Sequence, residues 1–459
     1  MFTKIILFFL NFTFLILFPN ISFSKCDVFK PFEYGVNSSA AEYARKGRNS
    51  LDENGILVFD YGKAYGGLGK WHNPFFIARY AHALYRDWYN SSCSDTSLEK
   101  AFLDQAQFFL DSKKDVPPNM AYWIYPFENT YYGVGPGWIS GIGQSQIAGV
   151  LLRAYAITKE SKFKTAALKA IEVYFHDVSS GGVVTDSNKG LWIQEVPCPD
   201  GRTFNILNGH ITGLLGVRDL AILLEDERLH GIFKRGLEAV RNHLPEFDAG
   251  FSSFYSLEVK KGSYPKIAPL RGYNKLHAWQ LERLYEITGE KIFKQYSLLF
   301  LEYDNIRYRK RTAKGSIDPA GHGPDKAAGA FGVTYWSHGD FPTWYEIDLD
   351  KNELLDAFFI GGYTQNTFPV DFALSVFSDG KWSEIYRTSE NKQKDILLSF
   401  SVPISVARIR VEINSTNSKT VALNALMPIR SREQGSTLTL FPPKVSQSIL
   451  APGFRLNSR

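Results

Sequence analysis

Residues 147–175 read IAGVLLRAYAITKESKFKTAALKAIEVYF. Apolar positions recur at three and four residues as far as Ile157, a polar link of Thr158, Lys159 and Glu160 follows, and the same period resumes at Phe163. This is the pattern of a helix, a tight turn and a second helix. It returns at Glu225, Asp226, Glu227 ahead of Leu229 and at Thr288, Gly289, Glu290 ahead of Phe293, at intervals of about 65 residues, which marks repeated αα-hairpins.

Working outward, the same helical face is found in Phe76, Tyr80, Ala83, Leu84 and Trp88, and again in Ala101–Leu110, Leu214–Leu224, Leu229–Leu244, Leu276–Ile287 and Ile292–Tyr303. The segments between hairpins, such as Gly181–Val196 and Phe251–Tyr264, are aromatic and Gly-rich, of a length for short strands or loops. Hairpins stacked side by side are expected to curve into an incomplete α/α barrel (toroid), with these connections over one open end. Beyond Tyr308–Arg311 the periodicity changes. Trp344, Glu346 and Asp348, then Phe358–Gly361, Phe372–Phe377 and Ala407–Ile413, alternate or form short β-branched runs broken by turns such as Ser378-Asp379-Gly380, so a C-terminal antiparallel β-sandwich is expected. The expected organisation is a signal peptide over 1–24, an extended N-terminal segment over 25–74, the helical domain over 75–312, the sandwich over 313–436 and a tail over 437–459.

The chain has 459 residues, 44% hydrophobic and 22% charged, with 52 basic against 47 acidic side chains, which excludes disordered and collagen-like classes. Its formal charge of +5 is mild, and basic residues are not gathered into an arm that would track nucleic acid. Lys4 precedes the apolar run Ile5–Phe18, and Ser22 and Ser24 supply small residues before a cleavage point. This reads as a cleaved signal peptide of an exported protein, with an uncleaved signal anchor as the alternative. Cys26, Cys93 and Cys198 have no paired spacing for a zinc site and allow one disulfide within the chain. No metal or cofactor is expected for the chemistry.

The central third resembles the C-terminal catalytic domain of D-glucuronyl C5-epimerases. The resemblance, over about residues 50–305, rests on a collinear series: Asn73-Pro74 with Ala78 and Tyr80; Gly137-Trp138-Ile139-Ser140 and Gly143-Gln144; Leu152-Arg153-Ala154-Tyr155; Trp192 with Glu195 and Pro197; Leu207-Asn208-Gly209; Leu244-Pro245 with Asp248 and Gly250; Tyr255; Ala268-Pro269; and Arg271 with Tyr273 and His277. The last domain resembles the discoidin or coagulation-factor type C sandwich through Trp344–Leu349, Phe377–Trp382 and Ala407–Val411. Such modules often bind glycans, sometimes with a structural calcium ion, for which no specific motif is found here.

The resemblance implies conversion of glucuronate to iduronate inside a heparosan- or heparan-like polysaccharide, and a homodimer. That reaction removes a proton beside a carboxylate and returns it from the opposite face, so it needs an acid/base group on each face and donors or cations on the carboxylate. The resemblance places Glu195, Tyr255 and Tyr273 at catalytic positions. A tyrosine base needs a nearby cation, and Arg271, two residues before Tyr273, is the candidate both for that and for gripping the carboxylate. Asn208 donates to sugar hydroxyls or, as its residue type favours, caps a helix. His277 hydrogen-bonds the site or is a core or helix-end histidine. Trp138, Tyr131 and Tyr132 form a stacking floor for sugar rings or pack as groove wall or core. Two positions depart from the family pattern: Val196 replaces a tyrosine after the glutamate, and Glu258 replaces an arginine three residues after the tyrosine that Tyr255 matches. The partner is read as an anionic uronate polymer; either it is unsulfated or lightly charged, or another nearby residue supplies the function of the two that differ. A polysaccharide lyase using the same proton abstraction, and a degenerate scaffold that only binds polysaccharide, are the competing readings.

Overall fold

The computed structural model of the chain describes residues 26–430 apart from 36, 63–66, 130–131, 249–251, 258–265, 268–272, 307–310, 314–321 and 328–334. The leader and the tail therefore lie outside the described residues. A short helix, α1 (Ala40–Tyr43), and a three-stranded sheet of β1 (Asn49–Leu51), β2 (Leu57–Asp60) and β3 (Lys70–Trp71) precede the hairpins.

Four αα-hairpins follow: α2 (Pro74–Asn90) with α3 (Thr96–Ser112), α4 (Gly141–Thr158) with α5 (Ser161–Glu172), α6 (Leu207–Leu224) with α7 (Glu227–His243), and α8 (Tyr273–Thr288) with α9 (Lys291–Ile306). A two-stranded β-hairpin separates each from the next: β4 (Lys114–Val116) and β5 (Met120–Tyr122), β6 (Val184–Ser187) and β7 (Gly190–Ile193), β8 (Phe254–Ser256) and β9 (Lys266–Ile267). The first helices of the hairpins pack in series, α2 on α4, α4 on α6 and α6 on α8. α4 and α6 are apolar nearly all round and buried all round, whereas α3, α5 and α7 each bury one face.

The repeated link has a local cause. Lys159, Glu225 and Gly289 all take the left-handed conformation that ends a helix. Thr158 and Thr288 each donate to the carbonyl four residues back and accept the amide two residues on. Asp226 then caps α7 and Asp95 caps α3 through their carboxylates.

Two long-range ties hold the N-terminal segment to the helices. Cys26 and Cys93 form a disulfide spanning 67 residues, which in the chain-entropy picture contributes about 4 kcal/mol. Cys198 is free and buried. Arg153, its side chain 1% exposed, makes a bidentate pair with Asp219 at 2.8 and 2.9 Å and donates to the Lys30 carbonyl at 2.8 and 3.0 Å. Removing one partner of a buried pair strands the other charge. Asp219→Ala is therefore expected to destabilise the fold by about 3–5 kcal/mol, read as a lower urea midpoint at unchanged slope.

The C-terminal domain is one antiparallel sheet that folds over itself. Its strands are β10 (Arg311–Ala313), β11 (Trp336–His338), β12 (Thr343–Gly362), β13 (Pro369–Ser378), β14 (Lys381–Thr388), β15 (Asp395–Thr416) and β16 (Val421–Arg430), in the order β11-β16-β12-β15-β13-β14 with β10 on β12. β12 and β15 pair along both halves with register shifts between Asp348 and Glu353. The break turns Tyr345, Ile347 and Leu349 to face Leu355, Phe358 and Ile360 in one core. The other side of the second half is not solvent-facing. Ala357, Phe359, Ala425, Met427 and Ile429 belong to the same buried cluster as the helices. On the outer face of the first half, Glu346 pairs with Arg410 at 2.8 Å, and Arg410 and Arg408 lie over the Trp382 ring.

Candidate active site

The site is assembled where β7 runs into the start of α6. Glu195 lies two residues beyond β7, and the backbone just before it is pinned. The Ile193 amide donates to His210 Nδ1 at 2.9 Å, the Gln194 amide donates to the Val183 carbonyl at 2.8 Å, and the Gln194 carbonyl accepts from Gly141 at 3.2 Å. His210 is buried and stacked on Trp192, and burial holds its pKa down at about 3, so the ring is neutral with its hydrogen on Nε2, donated to the Gly236 carbonyl at 3.1 Å.

α6 admits this approach because its facing side is glycine. A Cβ at Gly213 would stand 2.9 Å from Ile193 Cγ2, and one at Gly209 would stand 2.7 Å from Glu195 Cβ and collide with Oε2. Glu195 thus rests on the first turn of α6, whose N-cap residue, Ile206, offers no side-chain cap. Glu195 Oε2 is sealed from solvent and has no hydrogen-bond partner, and desolvation pushes the carboxyl pKa up from 4.5 to about 7. A carboxyl of that kind exchanges a proton near neutrality, as a general acid/base requires.

Tyr255, on β8, and Tyr273, the first residue of α8, meet edge to face with ring centroids 5.1 Å apart. Burial first, then the Glu195 charge and the phenols of Tyr132 and Tyr273, raise the Tyr255 pKa well above 10. Tyr255 is therefore a neutral phenol suited to donating a hydrogen. Arg271, Tyr131 and Glu258 lie outside the described residues.

Tyr132 packs with Val196, Cys198, Phe204 and Ile206, and the partly buried Trp138 and Tyr255 border the same cluster. Val196, 2% exposed, is part of this apolar wall. Trp138 stacks on Tyr125 at 3.9 Å and donates to the Phe127 carbonyl at 2.9 Å, so one of its faces is already covered.

Asn208 differs from its expected setting, whereas His277 takes the core setting, one of its alternatives. Asn208 is the second residue of α6 and not its cap: its side-chain Oδ1 is buried without a partner, while its carbonyl accepts from Gln280 and Thr212. The capping reading is corrected, because the residue in cap position is Ile206, whose side chain has no hydrogen-bonding atom. His277 lies one turn inside α8, fully buried, with Nδ1 2.7 Å from Ser253 Oγ and Nε2 without a partner; desolvation lowers its pKa to about 3. Ser253 also donates to Asn274 Oδ1, from its amide at 3.0 Å and its hydroxyl at 2.7 Å.

Sequence reasoning did not single out Gly209, Tyr125, Ser253, Asn274 or Gln280 as site neighbours. The glycine had a usable signal in the spacing Gly209, Gly213, Gly216, one face of a helix. The polar residues carried none. Among the described residues no group of three or more histidine, cysteine or acidic side chains is placed to hold a metal ion, and no helix is long and apolar enough to cross a membrane.

Residues 118–302 match the family model described as D-glucuronyl C5-epimerase C-terminus. A D-glucuronyl C5-epimerase of Caenorhabditis elegans is 27% identical over 170 residues, covering 34% of this chain and 27% of that protein. An uncharacterized protein of Methanocaldococcus jannaschii is 26% identical over 178 residues, covering 38% of this chain and 55% of that one. The chain thus spans about a quarter and about half of these two relatives. Similar solved structures include a family 32 carbohydrate-binding module of C. perfringens NanJ in complex with galactose, at 15% identity and a TM-score of 0.24, covering 26% of this chain and 91% of the module. A pectin-binding module, at 21% identity and a TM-score of 0.23, covers 27% of this chain and 91% of its own. Residues 118–302 are thus similar to the C-terminal domain of D-glucuronyl C5-epimerases.

Proposed function

We propose that this chain is an exported uronate C5-epimerase acting inside a glucuronate-containing polysaccharide, with the hairpins curving as an incomplete α/α toroid around the sugar chain. The observation that carries this reading is the half-buried Glu195, whose Oε2 is closed off from solvent without a partner and whose pKa is raised to about 7, in the same neighbourhood as two tyrosines. In the forward direction a base on one face takes the C5 proton, the electron pair passes into the adjacent carboxylate as an enolate-like dianion, and an acid on the opposite face protonates C5. No bond other than C–H is broken and nothing is oxidised. Glu195 serves one face and Tyr273 the other, and Tyr255 donates to the developing oxyanion. Arg271 grips the carboxylate, while Asn208, His277, Trp138 and Tyr132 contact the sugars or position groups that do. The sandwich adds a further glycan contact, and the assembly is a homodimer.

The test is a panel of glucuronate polymers incubated with the protein in deuterated water and followed by NMR. Deuterium is expected at C5 with the chain intact, and Tyr273→Phe is expected to reduce its entry by at least about 100-fold while the protein stays folded. An unsaturated uronate product identifies the lyase outcome, in which the same intermediate expels the C4 substituent. Retention of polymer without exchange identifies a binding scaffold.

A further inference from the structure

We propose that Gln280 is a positioning residue that locks the seat of Glu195 on α6 to the helix that begins at Tyr273, and so sets the separation of the two acid/base groups; this rests on the epimerase reading above. Gln280 is 2% exposed and stands seven residues after Tyr273, two turns along the same side of α8. Its Nε2 donates to the Asn208 carbonyl at 3.0 Å and to Thr212 Oγ1 at 2.9 Å, both on α6. Asn208 is the neighbour of Gly209, the residue on which Glu195 rests. One amide group therefore joins the helix under Glu195 to the helix of Tyr273.

The chemistry of the two acceptors explains why a glutamine is needed. The Asn208 carbonyl only accepts, and Thr212 gives its own hydrogen to that same carbonyl at 2.7 Å, so it presents a lone pair to Gln280. Two acceptors side by side call for a neutral group with two hydrogens, which also fixes which end of the amide faces α6. A lysine would meet the acceptors but bring a positive charge into the surroundings of Glu195. α8 also packs on α6 more loosely than α6 does on α4, so this polar bridge has less apolar contact to back it. α8 is also held by its packing on α9, and the Ser253–Asn274–His277 cluster ties its first turn to the residue just before the strand of Tyr255; neither of these reaches α6.

Gln280→Leu keeps the bulk and removes both hydrogens. The expected result is a 10- to 100-fold fall in the C5 exchange rate at saturating polymer with KM within about twofold, as misplacement of one reacting group produces. A second readout needs no substrate: the carboxyl infrared band of Glu195, identified as the difference between the parent protein and Glu195→Gln, is expected to titrate lower, from about 7 towards 4.5, as water reaches the loosened turn. Thr212→Val, which removes one acceptor, should shift both in the same direction by less and covers the case in which Gln280→Leu fails to fold. A Gln280→Leu protein that melts earlier yet keeps the exchange rate and the Glu195 titration overturns the proposal and leaves Gln280 a packing residue. If the parent protein exchanges no C5 hydrogen, the epimerase reading fails, and the infrared titration still decides whether Gln280 sets the environment of Glu195.

Discussion

Glu195→Gln is expected to lower deuterium entry at C5 by about 10²–10⁴-fold, the span that one general acid/base supplies, while making the folded protein more stable above neutral pH. Both effects come from the same carboxyl. Its folded-state pKa, raised to about 7, lies above the ordinary 4.5, so between those values the native state holds a proton that the unfolded chain has released. Stability from this group is fully present below about 4.5, falls as pH rises through the window and is level above about 7. Ionised Glu195 thus costs at most about 3 kcal/mol at pH 8, a burden that glutamine does not carry. Urea midpoints of the two proteins should converge near pH 4 and separate by pH 8, with the variant the more stable. The parent exchange rate in the direction that uses Glu195 as base should rise with pH through about 7. A variant that still exchanges, or a stability gap that ignores pH, would show that this carboxyl is neither the base nor buried as described.

Gly209→Ala should nearly silence the enzyme and leave it folded. The added methyl would stand 2.7 Å from Glu195 Cβ and run into its carboxylate. The three nearest atoms belong to Glu195: its carboxylate can swing aside, but its Cβ is fixed by the backbone, so the segment beyond β7 must also shift. Alanine also favours the helix over glycine by about 1 kcal/mol, which offsets part of the disturbance. The variant is therefore expected to stay folded but to melt earlier than the parent. The proton transfer fares worse, because a shift of about 1 Å in a reacting group costs on the order of 100-fold. Exchange rate and thermal melting of the same preparation separate the two effects. Full exchange in a folded Gly209→Ala protein would mean that Glu195 does not act from this seat.

The hairpins were legible because each link carries its own instructions. Thr158 and Thr288 cap backward, the next residue turns left-handed, and an apolar face resumes, all within ten residues. The link between α2 and α3 escaped the same reading, since Ser91 through Asp95 ends its helix through Ser91 and Cys93 without that threonine. The identities of Glu195, Tyr255 and Tyr273 came from ordered motifs. Their properties did not, because a carboxyl pKa depends on which atoms exclude water from it. Asn208 shows the limit most plainly: its residue type suggests a cap, yet the cap position of α6 lies two residues earlier, at Ile206.

By itself, the amino-acid sequence determined the helical hairpins, the change to strand alternation after residue 311 and which residue types are proposed for proton transfer, since these follow from neighbours within a few positions. Only the tertiary structure decided that Glu195 rests against Gly209, that Tyr255 is kept protonated, and that Gln280 reaches Asn208 from 72 residues away. Desolvation and hydrogen-bond pairing are set by atoms distant in the chain, and no local pattern records which ones arrive.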